Sequence, residues 1–382
     1  MNSRERIRTA LAHQEPDRIP FDLGSFGATG IHWKAYVRLR KYLGLPERPV
    51  RIWDTMQQLA YCEEDLLIRL QADARLLERN PPSNWKLHIF EENGGQSYVD
   101  EWGIKYHMPS HGLYYDPRGH PLQDVETVEE VERYPWADPT DPARFAGLAE
   151  KAKNIQETTG AAVTLGSCFV GFFEGINWLR GLEQSMIDLI LNPKLVQAIM
   201  EKIAEMKIAY WSTVLPILDG YVDIVSESDD LGGQNGPLIS VEMYRKYIKP
   251  LHTRIFSTMK KYTDAPVWFH SCGSIWDFLP DFIESGVEVL NPVQTSAAKM
   301  DTEALKREFG QDLSFWGGGC DTQKILPRGT PQQVREEVKR RIDDLAPGGG
   351  FVFNPVHNIQ ADVPPENIMT MWETWQEHAA YK

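Results

Sequence analysis

The chain is poor in cysteine: Cys62, Cys168, Cys272 and Cys320 are the four in 382 residues, widely scattered and with no Cys-x-x-Cys pair. In a long chain without a secretion signal, such thiols are read as free or metal-bound rather than as a disulfide framework. Long apolar runs are also missing. The most apolar stretch, residues 161–173, is too short to span a bilayer and is broken by glycines and polar residues. Residues 1–14 carry charges but no apolar h-region, so a cytoplasmic location is expected, with no membrane association. Basic charge is scarce as well. Forty Lys and Arg against 54 Asp and Glu give a formal charge of −14, and no basic stretch offsets it, which argues against a nucleic-acid binder. No Gly-x-Gly-x-x-Gly loop, solenoid repeat or low-complexity tail is present.

What the chain does have is a stretch around which the rest is organised, Pro266-Val267-Trp268-Phe269-His270-Ser271-Cys272-Gly273. Read as a strand entering a glycine turn, it places His270 and Cys272 on one face, because alternate strand residues point the same way. A second strand, Leu313-Ser314-Phe315-Trp316, runs through Gly317-Gly318-Gly319 to Cys320. One histidine and two thiols from two strand ends suit a zinc ion with one open coordination position. His-x-Cys alone is weak, since buried cysteines commonly behave as small hydrophobes; Cys320 at an equivalent strand end strengthens it.

Strand candidates begin near Arg18, Ala74, Ala162, Val222, Pro266, Val287, Leu313 and Gly350, most of them followed by helical patterning. Eight such units predict a (β/α)8 TIM barrel over residues 1–382, with N-terminal helical elaborations. Alternating Tyr98, Asp100, Trp102, Ile104 and Tyr106 after Gly94-Gly95 predict a β-hairpin inserted near residues 93–107. In a barrel the site lies where the strands end. Polar residues at those ends include Asp22, Glu78, Asn291, Gln294, Asn354 and His357, besides Glu227, Asp229 and Asp230 after the fourth strand. Glu227 or Asp229 is the candidate catalytic acid or fourth zinc ligand, an assignment the sequence leaves open between them. Phe169, Phe172, Phe173 and Trp178 are read first as core and second as a pocket lining.

Arg4-Glu5-Arg6 with Pro16-Asp17-Arg18-Ile19-Pro20, the His270-Ser271-Cys272-Gly273 turn, and Gly317-Gly318-Gly319-Cys320-Asp321-Thr322 resemble the uroporphyrinogen decarboxylase superfamily. That resemblance covers most of the chain, is strongest from Val222 onward, and implies the same barrel. True decarboxylases of the superfamily carry an arginine-rich segment after the first strand to hold carboxylates. Here the segment reads Phe21-Asp22-Leu23-Gly24-Ser25-Phe26-Gly27, with no arginine before Arg38. The resemblance is closer to the cobalamin-dependent methyltransferase branch, and implies zinc held by His270, Cys272 and Cys320. It implies in turn a methyl transfer from a small methylated substrate, a methoxylated aromatic first, to Co(I) on a corrinoid protein. With no Asp-x-His-x-x-Gly pattern in this chain, cobalamin is expected on that partner; a homodimer is left open. The alternatives are a methylcorrinoid:thiol methyltransferase of the coenzyme M type, a decarboxylase, and a binding barrel with a structural ion or none.

Overall fold

The structure is a computed structural model that describes every residue except Asp219 and Lys382. Seven short parallel strands form one curled sheet: Ala74–Leu76, Ala162–Gly166, Ile224–Ser228, Val267–His270, Val289–Asn291, Ser314–Trp316 and Phe351–Val352, each paired with the next in chain order. The gap between the last strand and the first is closed by residues 20–22. Phe21 forms a parallel bridge with Phe353, the Asp22 amide donates to the Phe353 carbonyl at 2.9 Å, and the Asp73 amide donates to the Phe21 carbonyl at 2.8 Å. The expected strand near Arg18 is therefore a single bridge, and with it the sheet closes into the eight-staved barrel.

Strand parity fills the interior. Ala74, Ala162, Ile224, Trp268, Val289, Trp316 and Val352, one from each strand, form a buried cluster inside the barrel with Ile7 and Phe26. Ile7 lies on the helix Ser3–Leu11, whose Ala10 carbonyl accepts from the Gly350 amide at 2.7 Å, so this helix plugs the N-terminal end. Phe26 stacks on Trp268 with ring centroids 4.2 Å apart, and Trp316 donates its indole N–H to Asp22 at 2.9 Å. This aromatic floor separates the buried plug from the C-terminal mouth. The outward strand residues join the large core under the surrounding helices, including Pro193–Leu218 and Pro331–Leu345.

The predicted hairpin is larger than expected. Phe90–Glu92, Gly95–Val99, Lys105–Pro109 and Asp116–Gly119 form a four-stranded antiparallel sheet. Two outer strands escape the sequence pattern because they lack apolar alternation; their ladders rest on backbone pairing with the central pair. Trp102 packs on Phe169 with centroids 5.0 Å apart, which seats the insert against a loop at the barrel mouth.

Candidate metal centre

His270 ends its strand with its side chain on the interior face, one pleat above Trp268, and the two rings stack at 5.9 Å. Cys272 follows in the turn, its Sγ 3.3 Å from His270 Nε2. The loop after Phe351–Val352 brings His357 to the same point. One ligand atom from each of His270, Cys272 and His357 lies within 4.8 Å of the other two. Zinc–nitrogen and zinc–sulfur bond lengths at a tetrahedral ion place such donors roughly 3.5 Å apart, so two nitrogens and a sulfur in this arrangement fit zinc with little adjustment.

The site is held from behind. Asn291, one strand over and in register with His270, donates its amide Nδ2 to the Trp316 carbonyl at 2.6 Å. Its Oδ1 is then left to accept from His270 Nδ1 at 2.6 Å, which leaves the lone pair of Nε2 directed at the cluster. Asp230 accepts from the Cys272 amide at 2.8 Å and lies 3.6 Å from His270 Nε2. Gly273, at φ +88°, lets this turn cross the loop after Asp230: a Cβ there would stand 2.2 Å from the Gly232 carbonyl oxygen.

Burial, then the charges of Asp230 and Glu174, push the Cys272 thiol well above its ordinary range. Burial and the neighbouring His270 pull His357 down to about 4, which keeps its imidazole neutral and a donor to metal. Glu174, at the start of the helix Phe172–Arg180, is pushed well above the usual carboxylate range by burial and by Asp230 and Asp229. Neither His357 nor Glu174 stood out in the sequence. His357 was one of several polar residues at strand ends, and Glu174 carried no motif.

Cys320 does not join the cluster. It is fully buried in the apolar core, its carbonyl accepts from the Val356 amide at 2.9 Å, and after burial Glu337 is the main influence raising its thiol. Gly317 and Gly318, between the strand Ser314–Trp316 and Cys320, adopt φ of +101° and +84°. The third side chain that stands with His270 and Cys272 is His357, from the loop after Phe351–Val352.

Glu227 and Asp229 also point away from the cluster. Ile224 lies inside the barrel, so Ser226 and Ser228 share that face, and Ser228 is the register partner of His270. Glu227 faces outward into the helix Pro193–Leu218, paired with Lys207 and accepting from Trp211 Nε1 at 2.6 Å and Ser167 Oγ at 2.7 Å. Asp229 caps the helix Phe172–Arg180, accepting from the Phe173 and Glu174 amides at 3.1 and 3.0 Å. Gly171 makes room for it: a Cβ there would stand 2.4 Å from the Asp229 side chain.

A cavity of about 460 Å³ opens beside Cys272 and His357, between the barrel mouth and the inserted sheet. Tyr114, Tyr115 and Trp178 supply aromatic walls, and Gln57, Gln294, Gln323, Asn358 and Gln360 supply amides. A second, smaller cavity of about 250 Å³, beside Cys62 and Arg75, lies apart from these residues.

The sequence matches the uroporphyrinogen decarboxylase (URO-D) family over residues 102–378, a span holding all three donors and most of the barrel. The chain belongs to the URO-D family. Among relatives of this URO-D protein, the methylcobamide:CoM methyltransferase MtbA of Methanosarcina acetivorans is 24% identical over 246 residues, 63% of this chain and 68% of that protein. A uroporphyrinogen decarboxylase of Thermus thermophilus is 26% identical over 372 residues, 92% of each chain. A solved methyltransferase from Methanosarcina mazei superposes with a TM-score of 0.64 at 19% identity, covering 99% of both chains, and shares the fold.

Proposed function

We propose that this URO-D family protein is a zinc-dependent methyltransferase. It moves a methyl group from a small methylated compound, a methoxylated aromatic first, to the Co(I) corrinoid of a partner protein. The observation that carries this reading is the convergence of His270, Cys272 and His357 at the edge of a cavity large enough for a single-ring molecule. An ion held there supplies a Lewis acid for the atom that bears the methyl group. The chain's own residues do the rest. Asn291 orients His270, Asp230 fixes the Cys272 turn, and the aromatic walls hold a ring with its methyl group facing the mouth. If Co(I) on such a partner took the methyl group, its electron pair would form the new bond to carbon, and the ether oxygen would keep the old pair and take up a proton.

The name of the Methanosarcina acetivorans relative favours a second reading, in which the same donors bind a thiol that accepts a methyl group from a corrinoid. The family also contains decarboxylases, but among the described residues no arginine or lysine lines the cavity to clamp a polycarboxylate.

The test is the metal content of anaerobically purified protein. About one zinc per chain is expected in the wild type and in Cys320→Ala, and loss of it in His270→Ala, Cys272→Ala and His357→Ala. Metal-free wild-type protein would sink the zinc reading. Methyl transfer from an aryl methyl ether to Co(I) corrinoid, set against methylation of a thiol by methylcorrinoid, then separates the two directions.

A further inference from the structure

The loop after the strand Ile224–Ser228 stays beside the His270 strand and the turn that follows it. The Asp229 amide donates to the His270 carbonyl at 2.8 Å, the Leu231 amide to Ser271 Oγ at 3.2 Å, and the Ser274 amide to the Gly233 carbonyl at 2.8 Å. Lacing the two loops in this way sets Asp230 against the Cys272 turn. Its Oδ1 accepts from the Cys272 amide at 2.8 Å and stands 3.6 Å from His270 Nε2. The tautomer of His270 gives the second distance its meaning. Nδ1 donates to Asn291, so Nε2 carries a lone pair, and a carboxylate oxygen has no proton to offer it. Two acceptors held face to face are disfavoured unless a cation or a proton lies between them. The 3.6 Å separation also matches the edge of a tetrahedron around zinc, whose bonds to nitrogen and oxygen are about 2.0–2.2 Å.

We propose that Asp230 is the fourth ligand of the metal centre, and an exchangeable one. Its carboxylate fills the open position at rest and gives it up to a ligand entering from the cavity. This rests on the zinc reading of His270, Cys272 and His357 and completes it. Charge supports the assignment: two neutral imidazoles and one thiolate leave a single positive charge on a zinc ion, which the Asp230 carboxylate cancels in a partly buried site. Geometry supports the exchange. The three clustered donors lie within 4.8 Å of one another, whereas Asp230 approaches from the His270 side and stands outside that mutual set. Its side chain is 35% exposed against 13% for His270, so it is the member with room to swing away. The other acids of this run are committed elsewhere, Glu227 to Lys207 and Trp211, and Asp229 to two helix amides. Glu174 is the rival, since its charge also reaches Cys272.

The experiment titrates full-length protein, loaded with Co(II) in place of zinc, with azide and follows the visible absorption that reports the ligand set. Wild-type absorption should hold steady at azide concentrations that saturate Asp230→Ala, because its fourth position is filled. In Asp230→Ala azide should shift the spectrum, zinc affinity read by chelator competition should fall at least about tenfold, and added acetate should restore part of it. Asp230→Asn keeps an acceptor for the Cys272 amide, so it separates ligation from positioning. It should respond to azide as Asp230→Ala does, and Glu174→Gln should respond as the wild type does. An equal azide response in wild type and Asp230→Ala, or an Asp230→Asn indistinguishable from wild type, overturns the assignment and leaves the three-donor centre in place. An azide response confined to Glu174→Gln overturns it in favour of Glu174. Failure of the wild type to take up either metal sinks the centre, and this assignment with it.

Discussion

At the scale of single residues, the candidate metal centre is ordered by groups outside the His270, Cys272 and His357 cluster. Asn291 is one of them: its two amide atoms are assigned by the Trp316 carbonyl on one side and by His270 on the other. Asn291→Leu should weaken zinc binding by roughly 10- to 100-fold, read by competition with a chelator, while Asn291→Asp should hold or tighten it. The Lys207–Glu227 pair gives the opposite profile. Both side chains are almost wholly buried and bonded to each other, so Lys207→Met leaves an uncompensated carboxylate in the core. Such a change should cost about 3–5 kcal/mol in urea unfolding, or prevent folding, and the double variant Lys207→Met/Glu227→Gln should recover much of it with zinc content intact. Loss of zinc with unchanged stability in Glu227→Gln would return Glu227 to the site.

At the scale of elements, loops that cross closely set the donors. The Asp229 cap on the helix Phe172–Arg180 positions Glu174 and Trp178, and through Trp178 one wall of the cavity. Asp229→Ala should cost about 1–2 kcal/mol of stability, seen in chemical denaturation, and leave zinc stoichiometry unchanged. Gly273→Ala should act differently, because its Cβ meets backbone, and the turn carrying Cys272 must move; loss of zinc ahead of loss of fold is the expected order. The inserted sheet carries its own pH dependence. Asp100 accepts from the Trp102 and Ile104 amides, and burial pushes it up to about 7 from 3.8. The folded state therefore holds a proton that the unfolded chain has released, so stability should fall as pH rises from about 4 to about 7 and level off above. Asp100→Asn should flatten that slope in urea midpoints measured across the range.

At the scale of the whole molecule, the alternation of strand and helix was legible because each barrel strand is an apolar run bounded by turn residues, buried on both faces. All eight strand starts fall on barrel staves, the first reduced to one bridge. Among the described residues no helix is long and apolar enough to cross a membrane. The pair His270 and Cys272 was legible too, because a two-residue spacing at a strand end is a local property. What closes the site is not local. His357 and Cys320 both follow strand ends as polar residues, and only the paths of their loops distinguish them. Cys320 follows the left-handed glycines 317 and 318 and lies in the large apolar core, while the Val356 amide donates to its carbonyl and His357 stands with His270 and Cys272. The inward or outward sense of Glu227 likewise followed from which residue of its strand entered the barrel first, Ile224, a register set by closure of the sheet. Periodicity and short-range spacing in the sequence were enough for the barrel and for two of the three clustered side chains, His270 and Cys272. The third of them, His357, and the cavity beside it were decided by tertiary structure, because they join loops 85 residues apart, Cys272 to His357, that meet only when the barrel closes.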